Sequence, residues 1–208
     1  MTSGLEFLGL GVFLGLVAGV SPGPLLALVF SETLKFGRRE GVKVAISPLV
    51  TDVPIVLFVL FVLSNLIGYG FVVGVVSLFG AGYLVYLGVE NLRVRVGEFE
   101  ANLGRKDALR RSVVANFSSP SPYLFWLSIG GPIIFKSLDV HFSAMILFVL
   151  GFYSLLVGSK IGIVLIVDKS KVFLESKYYL WVVRALGIML ILFSLIFVKD
   201  GLALIGLL

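Results

Sequence analysis

Apolar residues run almost unbroken from Leu5 to about Leu34. Polar residues then return in clusters that separate five further runs: Val44–Leu66, Phe71–Leu92, Ser112–Phe135, Val140–Val167 and Tyr179–Val198. Each is about 20 residues or more, the length at which a helix spans the ~30 Å hydrocarbon layer. The pattern predicts an all-α integral membrane protein with six transmembrane helices. The first run is the odd one, since at ~1.5 Å per residue it would extend for roughly 45 Å. Ser21-Pro22-Gly23-Pro24 interrupts it, and Ser119-Pro120-Ser121-Pro122 interrupts the fourth run in the same way. Proline has no N–H, so Pro22 strands the carbonyl of Ala18 and Pro24 that of Val20. Such groups persist in lipid only where protein or a polar cavity satisfies them. Serine before proline is also a helix start, with serine as N-cap and proline at the first helical position. Helices 1 and 4 are therefore expected to be broken at membrane depth.

Three spans separate the two breaks, an odd number, so the second half enters the membrane in the opposite sense. The expected architecture is two inverted three-helix repeats in a single membrane domain: 1–92, a cytoplasmic connector 93–111, and 112–208. Interrupted helices in inverted repeats are where secondary transporters hold their solutes. Here the two downstream half-helices would present their N-terminal dipole ends to a shared space suited to a carboxylate.

Charge fixes the orientation. Thirteen Lys and Arg residues lie in the loops after spans one, three and five, against Lys136 and Lys199 in the alternate segments. Such a bias places the basic loops inside and both termini outside the cell membrane. The net charge of +5 is thus a matter of topology and gives no reason to invoke nucleic acid. The 59% hydrophobic composition and mean hydropathy of +1.10 agree with a chain embedded in lipid. No cysteine is present, which excludes thiol redox chemistry and thiolate metal ligands. His141 stands alone in an outer loop, so neither a metal nor a cofactor is expected. Glu6 and the lack of a basic leader speak against a cleaved signal peptide.

Two ionisable residues inside apolar runs single themselves out. Asp52 sits between Pro48 and Pro54, beside Ser47 and Thr51, and Lys160 sits in the fifth run. Asp52 is nine residues past Lys43 and Lys160 eight before Asp168, which puts both about 12–14 Å deep. An ion pair, two walls of one site, or a lysine that snorkels to the interface are all open. Glu90 and Arg93 are spaced for a local pair. Gly11, Gly15, Gly19 and Gly23 form a stripe for close helix packing, within the chain or as the seam of a homodimer. Gly158 and Gly162 lie on the side of their helix away from Lys160, as a packing seam would.

These features in order resemble the lysine exporter (LysE/RhtB) family of small efflux transporters. The resemblance rests on Ser21-Pro22-Gly23-Pro24-Leu25, then Gly37-Arg38-Arg39-Glu40-Gly41, then Asp52. Gly82-Tyr83-Leu84-Val85-Tyr86-Leu87-Gly88 and Asn116 ahead of Pro120 add to it. It implies six helices in inverted repeats and outward movement of amino acids or related small solutes, driven by a proton or ion gradient. This chain departs from the family pattern at Thr51, where glycine is usual, and at Ser119-Pro120-Ser121, where Asn-Pro-Lys is common.

The function expected is therefore export of a small metabolite rather than catalysis. Ser21, Pro22, Gly23 and Pro24, with Ser119, Pro120, Ser121 and Pro122, would hold a carboxylate. Asp52 would bind the amine or carry the coupling proton, with Asn116 and Lys160 completing the site. Export of an inorganic cation through Asp52 and the freed carbonyls is the alternative transporter reading. A non-transporting structural subunit would need no matched breaks around a buried acid.

Overall fold

The computed structural model describes residues 4–21, 23–66, 70–93, 108–169 and 177–207, and every element among them is helical. The order is α1 (Gly4–Val20), α2 (Pro24–Phe36), α3 (Arg38–Ile46), α4 (Pro48–Leu66), α5 (Gly70–Arg93), α6 (Ala108–Ser118), α7 (Pro120–Phe125), a π turn (Trp126–Gly130), α8 (Gly131–Val140), α9 (Phe142–Lys169) and α10 (Lys177–Leu204).

Prolines and glycines set most of the joints. The axis bends by 57° between Gly4–Val20 and Leu25–Leu34. Ser21 N still bonds Val17 O, closing α1, and Gly23 caps α2 in extended geometry with Pro24 at its first position. The N-cap thus falls two residues later than expected at Ser21; Pro22 itself lies outside the described residues. At the second joint Ser119 does cap α7, its side chain accepting from Ser121 N at 3.4 Å. Between α2 and α3 the chain turns at Gly37, whose φ of +86° lies in the left-handed region that glycine favours. Where α3 meets α4, Pro48 frees the carbonyl of Val44, and Ser47 Oγ fills it at 2.8 Å. Downstream of Trp126, Pro132 cannot donate, and the ladder widens so that Gly131 N reaches Trp126 O, five residues back.

Among the described residues four helical stretches are each long and apolar enough to cross a membrane: Arg38–Asn65, Gly74–Arg93, Phe142–Lys169 and Arg184–Leu204. The bent α1–α2 pair makes a fifth if it counts as one span. The expected span Ser112–Phe135 is divided among α6, α7, the π turn and α8, none of them long enough alone, because three prolines and Gly130-Gly131 fall within or just after it. Large apolar side chains such as Leu57, Phe61, Phe79 and Leu195 face outward, as a lipid surface requires.

Small residues bring the helices together. A side chain at Gly11 or Gly15 would run into the backbone of Phe148 and Phe152, so α1 lies directly against α9. Gly11, Gly15 and Gly19 of the stripe are thus spent on packing inside the chain. Gly74 and Gly201, and Gly88 and Gly187, face one another reciprocally between α5 and α10. By contrast a side chain at Gly158 or Gly162 would meet nothing within 4 Å, so these two mark no seam among the described residues.

Two apolar cores result, one above and one below the breaks. The larger joins α1, α4, α5, the π turn, α8, α9 and α10 around Trp126, Phe148 and Phe152. The smaller, around Leu26, Val29, Val44 and Val164, ties α2, α3 and the start of α6 to the last turns of α9. Across it Arg111 Nη2 reaches Glu32 Oε1 at 2.6 Å, and Glu32 is fully buried. This ion pair joins the two segments that flank the breaks, α2 and α6, at the end of the bundle where the basic residues gather.

Candidate functional site

A cavity of about 210 Å³ opens between the breaks. That is small against the ~300 Å³ at which typical ligand pockets begin, and suits a solute of few atoms. Ser21 and Gly23 border it from the first break, and Ser119, Ser121 and Pro122 from the second. Asp52, Asn116 and Lys160 add to its polar lining, so the structure gathers eight of the eleven predicted site residues around one space. Of the rest, Pro22 lies outside the described residues, and the side chains of Pro24 and Pro120 do too.

Asp52 projects from the first turns of α4 and is 5% exposed. Four side chains donate to it. Thr51 Oγ1 at 3.4 Å and Asn116 Nδ2 at 3.2 Å reach Oδ1. Trp126 Nε1 and Tyr153 OH, both at 3.4 Å, reach Oδ2. Asn116 Nδ2 also donates to Thr51 Oγ1 at 2.5 Å, so the threonine is part of the network as well as a neighbour in sequence. A carboxylate has about four lone-pair directions; Asn116, Trp126 and Tyr153 serve three of them, and the Thr51 hydroxyl divides its one proton between Asp52 and the carbonyl of Ser47 at 3.2 Å.

Lys160 is 2% exposed and does not snorkel. Nor does it form an ion pair with Asp52; Nζ donates instead to the carbonyls of Ala18 at 3.1 Å and Gly19 at 3.0 Å. The carbonyl that Pro22 strands is thus satisfied by a cation on another helix. The negative end of the α1 dipole points the same way. At the second break the corresponding work is local: Ser119 N bonds Ala115 O and Asn116 O, and Tyr123 OH bonds Phe117 O at 3.1 Å.

Helix α5 braces both breaks. Tyr83 OH donates to Ser121 O at 3.3 Å, and Asn91 Nδ2 donates to Ser21 Oγ at 3.0 Å. Between these two anchors the same helix turns Tyr86, Leu87 and Glu90 toward the cavity. Glu90 forms no ion pair with Arg93, which is exposed.

Trp126, Tyr153, Asn91 and the Glu32–Arg111 pair do not announce themselves in the sequence as site residues. One signal was there for Tyr153, which lies seven residues before Lys160 and therefore on the same face of α9. Trp126 reaches Asp52 from the π turn, whose cause, Pro132 after two glycines, is visible but whose rotation is not.

Chemically, the arrangement has a carboxylate held by neutral donors, a buried ammonium clamping a helix end, and two helix starts around a small cavity. Comparison with known proteins agrees in kind. The pattern of the LysE type translocator family matches residues 16–201. A protein of Bacillus subtilis (strain 168), named "Putative amino acid efflux protein YcgF", is 28% identical over 135 residues, 62% of this chain. The chain spans 65% of that relative's length. No solved structure matches.

Proposed function

Because the match over most of its length shows that this chain belongs to the LysE type translocator family, a family of transporters and not of enzymes, we propose that it exports amino acids or closely related small metabolites. The observation that carries this reading is the convergence of both Ser-Pro breaks, Asp52 and Lys160 on one small cavity. The name of the Bacillus relative supports the solute class.

In this reading the chain crosses the cell membrane six times as two inverted halves, 1–92 and 112–208 joined by the 93–111 connector, with the termini outside. The broken segment α6–α7–α8 serves as the fourth crossing. The start of α2 at Gly23 and the Ser119–Pro122 turn receive the solute carboxylate, where the positive ends of two helix dipoles and the serine hydroxyls favour an anion. Asp52 carries the coupling proton. Its four partners reach it at 3.2–3.4 Å, loose enough to rearrange when its charge is lost. Asn116 moves with it through Thr51, linking the coupling step to the second break.

The test is flux in liposomes. Purified protein should release labelled leucine, threonine or lysine when a pH gradient is imposed, and Asp52→Asn should slow that release at least about tenfold while the protein stays folded. The amide brings its own donors against Trp126 or Asn116, at a cost of ~1–3 kcal/mol for each mismatched group. Movement of sodium or potassium without any amino acid would instead favour cation export. Full flux in Asp52→Asn would remove this residue from the coupling step.

A further inference from the structure

Of the charged groups around the cavity, two are already engaged. Both oxygens of Asp52 accept from protein donors, and Lys160 is committed to two carbonyls. Glu90 differs. It is half-buried in the cavity wall on α5, and among the described residues it has neither a hydrogen bond nor an ion pair. Along the same face lie Tyr83 and Tyr86, their rings stacked with centroids 6.2 Å apart. A carboxylate next to aromatic faces is the setting that holds an ammonium group, by charge and by cation–π attraction. Asn91 and Tyr83, on either side of Glu90, fix this stretch of α5 to the two breaks, so the backbone that carries Glu90 has a set position relative to both.

We propose that Glu90, and not Asp52, recognises the ammonium group of the exported solute, with the tyrosine pair as the rest of that subsite. The inference rests on the export reading above and adds to it the residue that sets amine specificity. It separates the tasks of two acids: Glu90 selects, and Asp52 answers to the coupling proton.

Competition assays test it. Labelled leucine and threonine serve as probes in liposomes, each competed by its own unlabelled form and by the Nα-acetyl derivative, which lacks the ammonium charge. Wild-type protein should prefer the free amine at least about tenfold, the loss of one charge-assisted contact. Glu90→Gln should raise KM and reduce that preference to about threefold or less, with the maximal rate within about twofold of wild type. Glu90→Asp should keep an intermediate preference, which a merely structural role would not produce. A preference unchanged in Glu90→Gln, or absent from wild type, overturns the proposal and leaves export standing. No flux of any probe in wild type overturns the export reading, and this assignment with it.

Discussion

Arg111→Ala should be the most damaging single substitution for stability, costing about 3–5 kcal/mol, the usual penalty for stripping one partner from a buried ion pair. Glu32 is fully buried and Arg111 is its ion-pair partner; Oε2 of the glutamate has no hydrogen bond among the described residues. Without the guanidinium, a carboxylate would sit uncompensated between α2, α3 and α6. Arg111 also stacks over Phe36 at 5.9 Å, so alanine loses packing along with charge. Thermal unfolding in detergent checks this, with a clear fall in midpoint expected. The double variant Glu32→Leu with Arg111→Met should recover much of the loss, because removing both charges together avoids the penalty. Equal damage in the single and double variants would show that packing, not charge, holds this end of the bundle.

Lys160→Met should have the largest effect on transport, with flux reduced about a hundredfold or more. Methionine matches the lysine stem in length but carries no donor, and two carbonyls of α1 would be left bare in the apolar interior. Each unsatisfied buried carbonyl costs ~1–3 kcal/mol, and relief comes only if the break straightens or shifts. Either change moves Ser21 and Gly23, and the first wall of the cavity with them. Lys160→Arg should keep part of the flux, since a guanidinium also donates to carbonyls, though its wider head crowds Gly19 and Ser159. Flux assays in liposomes decide the matter. A methionine variant of near wild-type rate would mean that the Ala18 and Gly19 carbonyls need no partner.

Lys160 also illustrates what a sequence can and cannot say. The apolar runs, the two Ser-Pro interruptions and the equal depth of Asp52 and Lys160 could be read from periodicity, proline chemistry and the cost of charge in lipid, while Asn116 entered through the family resemblance. The sequence named the stranded carbonyl of Ala18, and separately named Lys160, without joining them. Their contact depends on α1 and α9 meeting at Gly11 and Gly15, and long-range pairing does not follow from local pattern. The same limit hid Trp126 and Tyr153 from the reading of Asp52. Proline placement predicts that a helix breaks; which residue then caps the next helix depends on backbone angles. Extended geometry at Gly23 moved the cap away from Ser21. Glu32 was overlooked because it ends an apolar run beside Lys35 and Arg38, where a solvated charge is the ordinary expectation.

The account stands on the solute lying between the two breaks, and the absence of cysteine makes that directly measurable. A single Ser121→Cys variant places a thiol at the rim of the cavity, and Ser64→Cys places one at the exposed end of α4 as a control. Both would be labelled with a maleimide, with and without an exported amino acid. The account predicts that the amino acid slows labelling at position 121 severalfold and leaves position 64 unchanged. Labelling at 121 that is indifferent to a saturating, transported amino acid would contradict it.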